Sequence, residues 1–480
     1  MSSPAPRRES APAMTDIEAL MWRLERDRRL SSTFSNVAIL DRRPDVDRLR
    51  ARLIDASRRI PRLRQRVDER PGGRAPRWVL DDELDIPSHV HHVALPGAAT
   101  HRQLYDLATR LTADPFDPSR PLWRFTVIDG LPEGRSALLQ KVHHSITDGE
   151  GGIELALAYL DLERNPPATH EPPTHDNTTD PTTGGIDIEP PDGSSSIDEP
   201  APDVDDTAEA VRRTLANALR VPLGIGRRVQ QLLANPDALG EASDAAGRTL
   251  DEIGREFGAH ARSPLWTSRS TRRTLHTTSA SVDDLKAVAS RLGGTVNTAF
   301  VAAAADAAGD YHRRAGSPID ALRASIAVST RRAESGSNAF TLARFDVPTG
   351  DMPVADRFAA VAAAVAHARA AGSDSLVDAA AALGAALPTS LIGRFALAQS
   401  RSVDVATSNV RGAPVDTYVA GAHVVANVPI GPLLGVPVNL TALSQRNRFD
   451  VGIHMDPAAI AEPDLFARCV DAAFVRLLSA

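Results

Sequence analysis

"LLQKVHHSITDGEGGIELALAYL", residues 138–160, sets two adjacent histidines four residues ahead of an Asp-Gly pair. The apolar alternation up to residue 144 predicts a strand, the glycines a sharp turn, and "GGIELALAYL" a helix. On a strand, Leu138, Gln140, Val142 and His144 share one face, and Ala137, Leu139, Lys141 and His143 the other. The histidines then point in opposite directions, which argues against one ion chelated by both. What remains is acid–base chemistry: a neutral imidazole can take a proton from a nucleophile near neutral pH. His144 ends the strand, beside backbone amides that have no partner inside the helix that follows. Asp148 can fold back to fix the turn, cap the helix or orient an imidazole or arginine. The plainer reading, a capping Asp148 and two core histidines, stays open on the motif alone.

Working outward, residues 1–13 read as a disordered leader and residues 14–164 as an N-terminal α+β domain. Leu49, Leu53 and Ile54 recur at helical spacing before Pro61, and Leu104, Leu107 and Leu111 mark a second amphipathic helix. "RWVL" and "HVHHVAL" read as strands, and "PLWRFTVIDGLPEGRSALLQKVHH" as two strands joined at an Asp-Gly turn. Residues 165–206 hold eleven Asp or Glu, no Lys or Arg, and abundant Pro, Thr and Ser. Such a segment cannot bury enough apolar surface to offset its ordering entropy, so a disordered linker is expected there. Residues 207–480 form the expected C-terminal domain. It opens with helices in "TAEAVRRTLANALR" and "RVQQLLA" and continues with helices "VDDLKAVASRLG" and "VNTAFVAAAADAAGDYHRRAG". Strands are expected in "RRTLHTTSAS", "RASIAVS", "ARFDVP", "VDVATSNV", "YVAGAHVVANVP", "NLTALSQ" and "FDVGIHM". Strands mixed with helices in both halves point to two α/β sandwiches.

The net charge of −7 becomes +4 once the acidic segment is set aside, so the remainder is mildly basic and suits an anionic cofactor or lipid surface. Aromatics are only 4% and the arginines are dispersed, which argues against nucleic acid. A single cysteine, Cys469, excludes an intramolecular disulfide and any cysteine-based metal cage. The start lacks the apolar core of a secretory signal, and no run of about 18 apolar residues occurs. A cytoplasmic protein is expected, with contact at a membrane surface left open.

Other chemistries find no motif. There is no G-x-S-x-G elbow and no P-loop, and "GIGRRV" at 224–229 lacks the last glycine of a dinucleotide fingerprint. Cys469 falls in a helical stretch and reads as a small buried residue. His91 and His92 precede no Asp-Gly pair and read as structural.

The chain resembles the bacterial wax ester synthase/acyl-CoA:diacylglycerol acyltransferase family, within the wider group of condensation domains and chloramphenicol acetyltransferase. "HHSITDG" matches the HHxxxDG motif and "RPLW" at 120–123 the PLW motif. "GGTVNTAFVAAAADAAGDYHRRAG", "IAVSTR", "GSN", "TSNVRGAP", "YVAGAHV", "PIGP" and "FDVGIHMD" follow in the family's order. The resemblance implies two chloramphenicol-acetyltransferase-like domains, each a two-layer α+β sandwich, with an active-site tunnel between them. It implies His144 as general base without a covalent acyl-enzyme, Asp148 holding the loop, and His143 and Gly149 supporting the geometry. Asn297, Ser408 and Asn409 are candidate substrate-binding donors for the oxyanion, along with the backbone N–H near Gly149. No bound cofactor or metal is expected; acyl-CoA is the co-substrate and a lipid alcohol the partner, met in the cytoplasm, at the inner face of the membrane or on lipid droplets. The sequence departs from the family at Thr298, where Asp is usual, at Arg411, where Pro is usual, and in "LSQRN", which replaces a Ser-Tyr pair. Alternatives are another hydroxyl acceptor, such as a polyketide or glycolipid, and a lipid-binding homologue without turnover.

Overall fold

The computed structural model describes residues 12–69, 76–97, 99–147, 149–166, 263–329, 340–370, 393, 396, 397 and 400–480. Most of the expected linker, the helices expected at "TAEAVRRTLANALR" and "RVQQLLA", and Asp148 lie outside them.

The N-terminal half begins with α1 (Asp16–Leu24), where Thr15 and Glu18 each accept the other's backbone N–H. Then come β1 (Thr33–Leu40), α2 (Val46–Arg59), and the hairpin of β2 (Gln65–Asp68) and β3 (Arg77–Leu80). They are followed by β4 (Val90–Ala94), α3 (His101–Ala113), β5 (Trp123–Asp129), β6 (Ser136–His143) and α4 (Gly149–Tyr159). Pairing reaches back into the expected leader: Trp78 N–H donates to the Pro12 carbonyl, and Met14 N–H to that of Pro76. The β5–β6 connection turns at Gly130, whose φ is +96° and where a Cβ would stand 2.7 Å from the Leu95 carbonyl oxygen, so a side chain is excluded.

The C-terminal half supplies β7 (Thr274–Ser281), α5 (Val282–Arg291), α6 (Val296–Arg314), β8 (Ala321–Ser329), β9 (Phe340–Pro348) and α7 (Val354–Ala370). It ends with β10 (Val405–Arg411), β11 (Tyr418–Val419), β12 (Ala422–Ile430), β13 (Val438–Gln445), β14 (Arg448–Met455) and α8 (Pro463–Leu478).

Two six-stranded sheets result, ordered β11-β12-β1-β6-β5-β4 and β7-β14-β13-β10-β8-β9. They do not follow the two halves of the chain. β12, expected within the C-terminal domain, pairs antiparallel with β1 (Ser35 opposite Ile430) and so completes the N-terminal sheet.

Each sheet has a helix-covered face. Leu49, Leu53 and Ala56 of α2 and Leu155 and Tyr159 of α4 pack with Leu138, Val142, Phe125 and Trp123 on one side of the first sheet. Ile54, expected to be buried with them, is exposed. On the other side, Leu104 and Ala108 of α3 pack on Val37, Ile39, Ala137 and Leu139, joined by Leu275 of β7. In the second sheet Leu440, Ala442, Val451 and Ile453 bury against α5, α6 and α8. The opposite face carries Ser408, Asn439, Thr441, Gly452 and His454 and turns towards the N-terminal half. There a Cβ on Gly452 would stand 1.7 Å from the Pro429 carbonyl oxygen, and His454 Nδ1 bonds the Gly431 carbonyl at 2.8 Å. Among the described residues no helix is long and apolar enough to cross a membrane.

Candidate active site

The strand–turn–helix expected around the two histidines is present, with β6 ending at His143. His143 N–H donates to the carbonyl of Leu122, so the PLW segment anchors the strand end directly. Ile146 N–H then closes a turn onto the His143 carbonyl at 2.9 Å, leaving His144 at its first corner. The expected alternation holds: Leu138 and Val142 pack on the α2/α4 side, Ala137 and Leu139 on the α3 side.

His143 is fully buried. Its Nδ1 accepts from the Ser145 backbone N–H at 3.1 Å, which leaves the proton on Nε2. Nε2 lies 3.2 Å from Glu25 Oε2 and 3.1 Å from Ser32 Oγ. Glu25 also accepts from Ser31 Oγ at 2.6 Å and from Ser32 N–H at 3.0 Å. Burial alone would raise the Glu25 pKa; the hydrogen bonds from His143, Ser31 and Ser32 outweigh it and hold the carboxyl at about 2. Two residues back, Lys141 is buried too, its Nζ bonded to the Asp114 carbonyl and 4.4 Å from the centre of the Phe116 ring. Burial pushes that ammonium down to about 8, helped by Arg124 and Arg28 and opposed by Asp114 and Glu25.

His144 is only half-buried. Its ring lies 4.7 Å from that of Phe34, and Gly152 of α4 backs the same ring, with 3.6 Å from a would-be Cβ. Gly431 follows Ile430, the partner of Ser35, and so comes beside Phe34. A Cβ on Gly431 would meet Thr441 Oγ1 at 2.1 Å, and Thr441 is the cross-strand partner of Ser408. These contacts lead from His144, through Phe34 and Gly431, to the Ser408 face of the second sheet, and α4 also approaches β10.

The structure separates the three candidate donors. Ser408 lies on the face turned to the N-terminal half. Asn409 takes the opposite face with Val405 and Ala442, towards the layer of α6, and Asn297 sits in the first turn of α6. One strand cannot aim Ser408 and Asn409 at the same cleft. Asp148 lies outside the described residues, and α4 begins at the next residue, Gly149. His92 bonds Asp129 at 2.6 Å and His91 the Ser88 carbonyl, which are structural roles, and Cys469 is buried. Among the described residues no three His, Cys, Asp or Glu side chains converge as metal ligands.

The family model of the wax ester synthase/diacylglycerol acyltransferase catalytic domain matches residues 14–300, and that of the WS/DGAT C-terminal domain matches residues 336–477. The chain belongs to the wax ester synthase/diacylglycerol acyltransferase family. A Mycobacterium tuberculosis protein named as a diacylglycerol O-acyltransferase is 31% identical over 492 residues, covering 98% of this chain and 93% of that one. The wax ester synthase/diacylglycerol acyltransferase of Marinobacter aquaeolei VT8 superposes with a TM-score of 0.63 at 18% identity, covering 97% of this chain and 98% of that one. The starter condensation domain of rhizomide synthetase, solved with C8-CoA, gives 0.56 at 12% identity, covering 98% and 96%. These likenesses bear out the two-domain chloramphenicol-acetyltransferase-like fold.

In this wax ester synthase/diacylglycerol acyltransferase family member, Glu25 is the site residue that sequence reading missed. It follows an ordinary amphipathic helix, and no spacing rule connects it to a motif more than a hundred residues away. The one local signal is "LERDRRLSS", a lone Glu before two serines that fold back onto its carboxylate.

Proposed function

We propose that this acyltransferase moves a fatty acyl group from acyl-CoA to the hydroxyl of diacylglycerol or a long-chain alcohol, with His144 as general base. The observation that carries the reading is the contrast within the histidine pair. His143 spends both ring nitrogens on buried partners, whereas His144 stands half-buried at a turn corner against the Phe34 ring. Relatives named as diacylglycerol O-acyltransferases, and a fold neighbour solved with C8-CoA, support the substrate classes.

In the reaction, His144 takes the proton of the acceptor hydroxyl as that oxygen attacks the thioester carbonyl. The tetrahedral intermediate expels the CoA thiolate, and the imidazolium returns the proton to sulfur. No acyl-enzyme forms. The oxyanion is met by backbone N–H groups at the start of α4 and by Ser408, the candidate donor on the facing sheet. A lipid acceptor puts the enzyme at work in the cytoplasm, at the inner face of the membrane or at a lipid-droplet surface.

The test is release of free thiol from labelled acyl-CoA by purified protein with a panel of acceptors. We expect release that requires an added alcohol and falls about 10²–10⁴-fold in His144→Ala. The labelled product identifies the acceptor among diacylglycerol, alcohols and other hydroxyl compounds. Acyl-CoA binding with no turnover on any acceptor defeats the proposal.

A further inference from the structure

Most arginines on the N-terminal half are neutralised. Arg48 and Arg52 share Asp161, Arg50 pairs with Asp47, Arg58 with Asp55, and Arg62 with Glu18. The seam between the halves differs. Arg28 and Arg29 precede Leu30 in the segment after α1, and Arg269, Arg272, Arg273 and Arg401 come from the C-terminal half. Hydrogen bonds and close packing draw them together. Arg273 donates to the Arg28 carbonyl at 3.5 Å, and Arg269 donates to that of Gly435. A Cβ on Gly435 would touch both Leu30, at 3.2 Å, and Ser400, the neighbour of Arg401.

Three carboxylates serve this group: Asp27 binds Arg29 at 2.6 Å, Asp456 stands 3.9 Å from Arg273, and Asp456 and Asp404 both attract Arg269. Arg28, Arg272 and Arg401 have no carboxylate within 4 Å among the described residues. Backbone carbonyls hold three of the guanidiniums in place: Arg28 donates to Ala113 at 3.0 Å, Arg269 to Trp266 at 2.6 Å, and Arg273 to Ser270 at 2.7 Å. Like charges gathered this way repel, and the attraction of a multivalent anion would offset that repulsion. Guanidinium geometry favours phosphate oxygens. The segment that carries Arg28 also carries Ser32, which touches His143, so the seam lies a few residues from the strand end that presents His144.

We propose that this arginine seam binds the phosphates of the coenzyme A nucleotide, setting the thioester end of the same molecule towards His144. The inference rests on the acyl-CoA reading above and adds the residues that recognise the part of the donor remote from the reaction.

The experiment compares acyl-CoA with acyl-pantetheine, which offers the same thioester and no phosphate, for wild type, Arg28→Gln, Arg272→Gln and the double variant. We expect each single change to raise the KM for acyl-CoA several-fold and the pair at least about tenfold, while kcat and the acyl-pantetheine kinetics stay at wild-type values. Added salt should raise the wild-type KM for acyl-CoA and leave the double variant nearly flat. An equal loss with both donors, or no loss with either, overturns the proposal. So does an effect seen only when the acceptor is presented in anionic vesicles, because the phosphates recognised would then be lipid headgroups. If wild type turns over neither donor, the acyl-CoA reading itself fails, and that result is distinct.

Discussion

Glu25 and His143 meet at 3.2 Å between Oε2 and Nε2, although 118 residues separate them in the chain. Because Nδ1 accepts from Ser145, the Nε2 proton must go to the carboxylate or to Ser32, and this locks the ring that precedes His144. Glu25→Gln turns an amide towards that proton and removes the charge. We expect kcat to fall about tenfold or more with KM nearly unchanged, since the lesion displaces the base and not the substrates. A parallel loss in KM would contradict a positioning role.

The same carboxyl sets a pH dependence. Its folded pKa of about 2 lies below the ordinary 4.5, so its stabilisation is complete above pH 4.5 and is lost as pH falls towards 2. The full swing is about 3 kcal/mol. Urea titrations between pH 5 and 3 should show a steeper loss in wild type than in Glu25→Gln; equal slopes would remove the pair from the stability argument.

How much of this was legible follows from the range of each interaction. The alternation from Ala137 to His144 is local, and it placed the two histidines on opposite faces. Applied to "TSN", the same rule would have parted Ser408 from Asn409, so that separation was readable. The pairing of β12 with β1 was not, because Ser35 and Ile430 carry nothing in their side chains that names a partner nearly 400 residues off. Glu25 was hidden for the same reason: its donors matter only after the segment to Thr33 has folded against β6. The PLW motif was visible as a pattern, while its physical role, a Leu122 carbonyl holding His143, needed the third dimension.

Lys141 is one of only two lysines in the chain. With its folded pKa near 8 against an ordinary 10.5, the unfolded state binds more protons between those values, so the lysine's contribution to stability should rise as pH increases across that window. Burial pushes the Cys469 thiol up to about 11 and raises Tyr105, Tyr159 and Tyr311, so these groups act in the opposite direction as pH climbs. Thermal melts from pH 7.5 to 10 should therefore fall more steeply in Lys141→Met, which keeps the stem and removes the charge, than in wild type. Equal slopes in the two proteins would count against the assignment.

His454 lies in the junction, with Nδ1 donating to the Gly431 carbonyl and Nε2 buried without a hydrogen-bond partner. Burial, reinforced by Arg273, pushes its pKa down to about 4 against an ordinary 6.5, with Asp456 opposing. The unfolded chain therefore takes up a proton that the folded one refuses, and stability should decline as pH falls from 6.5 towards 4. His89, His276 and His312 are shifted the same way by burial, so His454→Gln should reduce the decline without abolishing it. Chemical denaturation at pH 7, 6 and 5 measures the difference, and an unchanged slope would count against the assignment.

Gly452 and Gly152 make opposite cases for replacement by alanine. At Gly452 the new methyl would stand 1.7 Å from the Pro429 carbonyl oxygen. That oxygen is backbone of β12, held between β11 and β1, so no side-chain rotation can relieve the clash and the two sheets must part. At Gly152 the methyl would meet only the Phe34 ring, at 3.6 Å, an ordinary contact. It would also gain up to about 1 kcal/mol of helix propensity. We therefore expect Gly152→Ala to melt within a few degrees of wild type. Gly452→Ala should lose several kcal/mol, as overpacking against unyielding atoms does, or fail to accumulate as folded protein. If Gly452→Ala melts like wild type, the close approach of β14 to β12 is wrong.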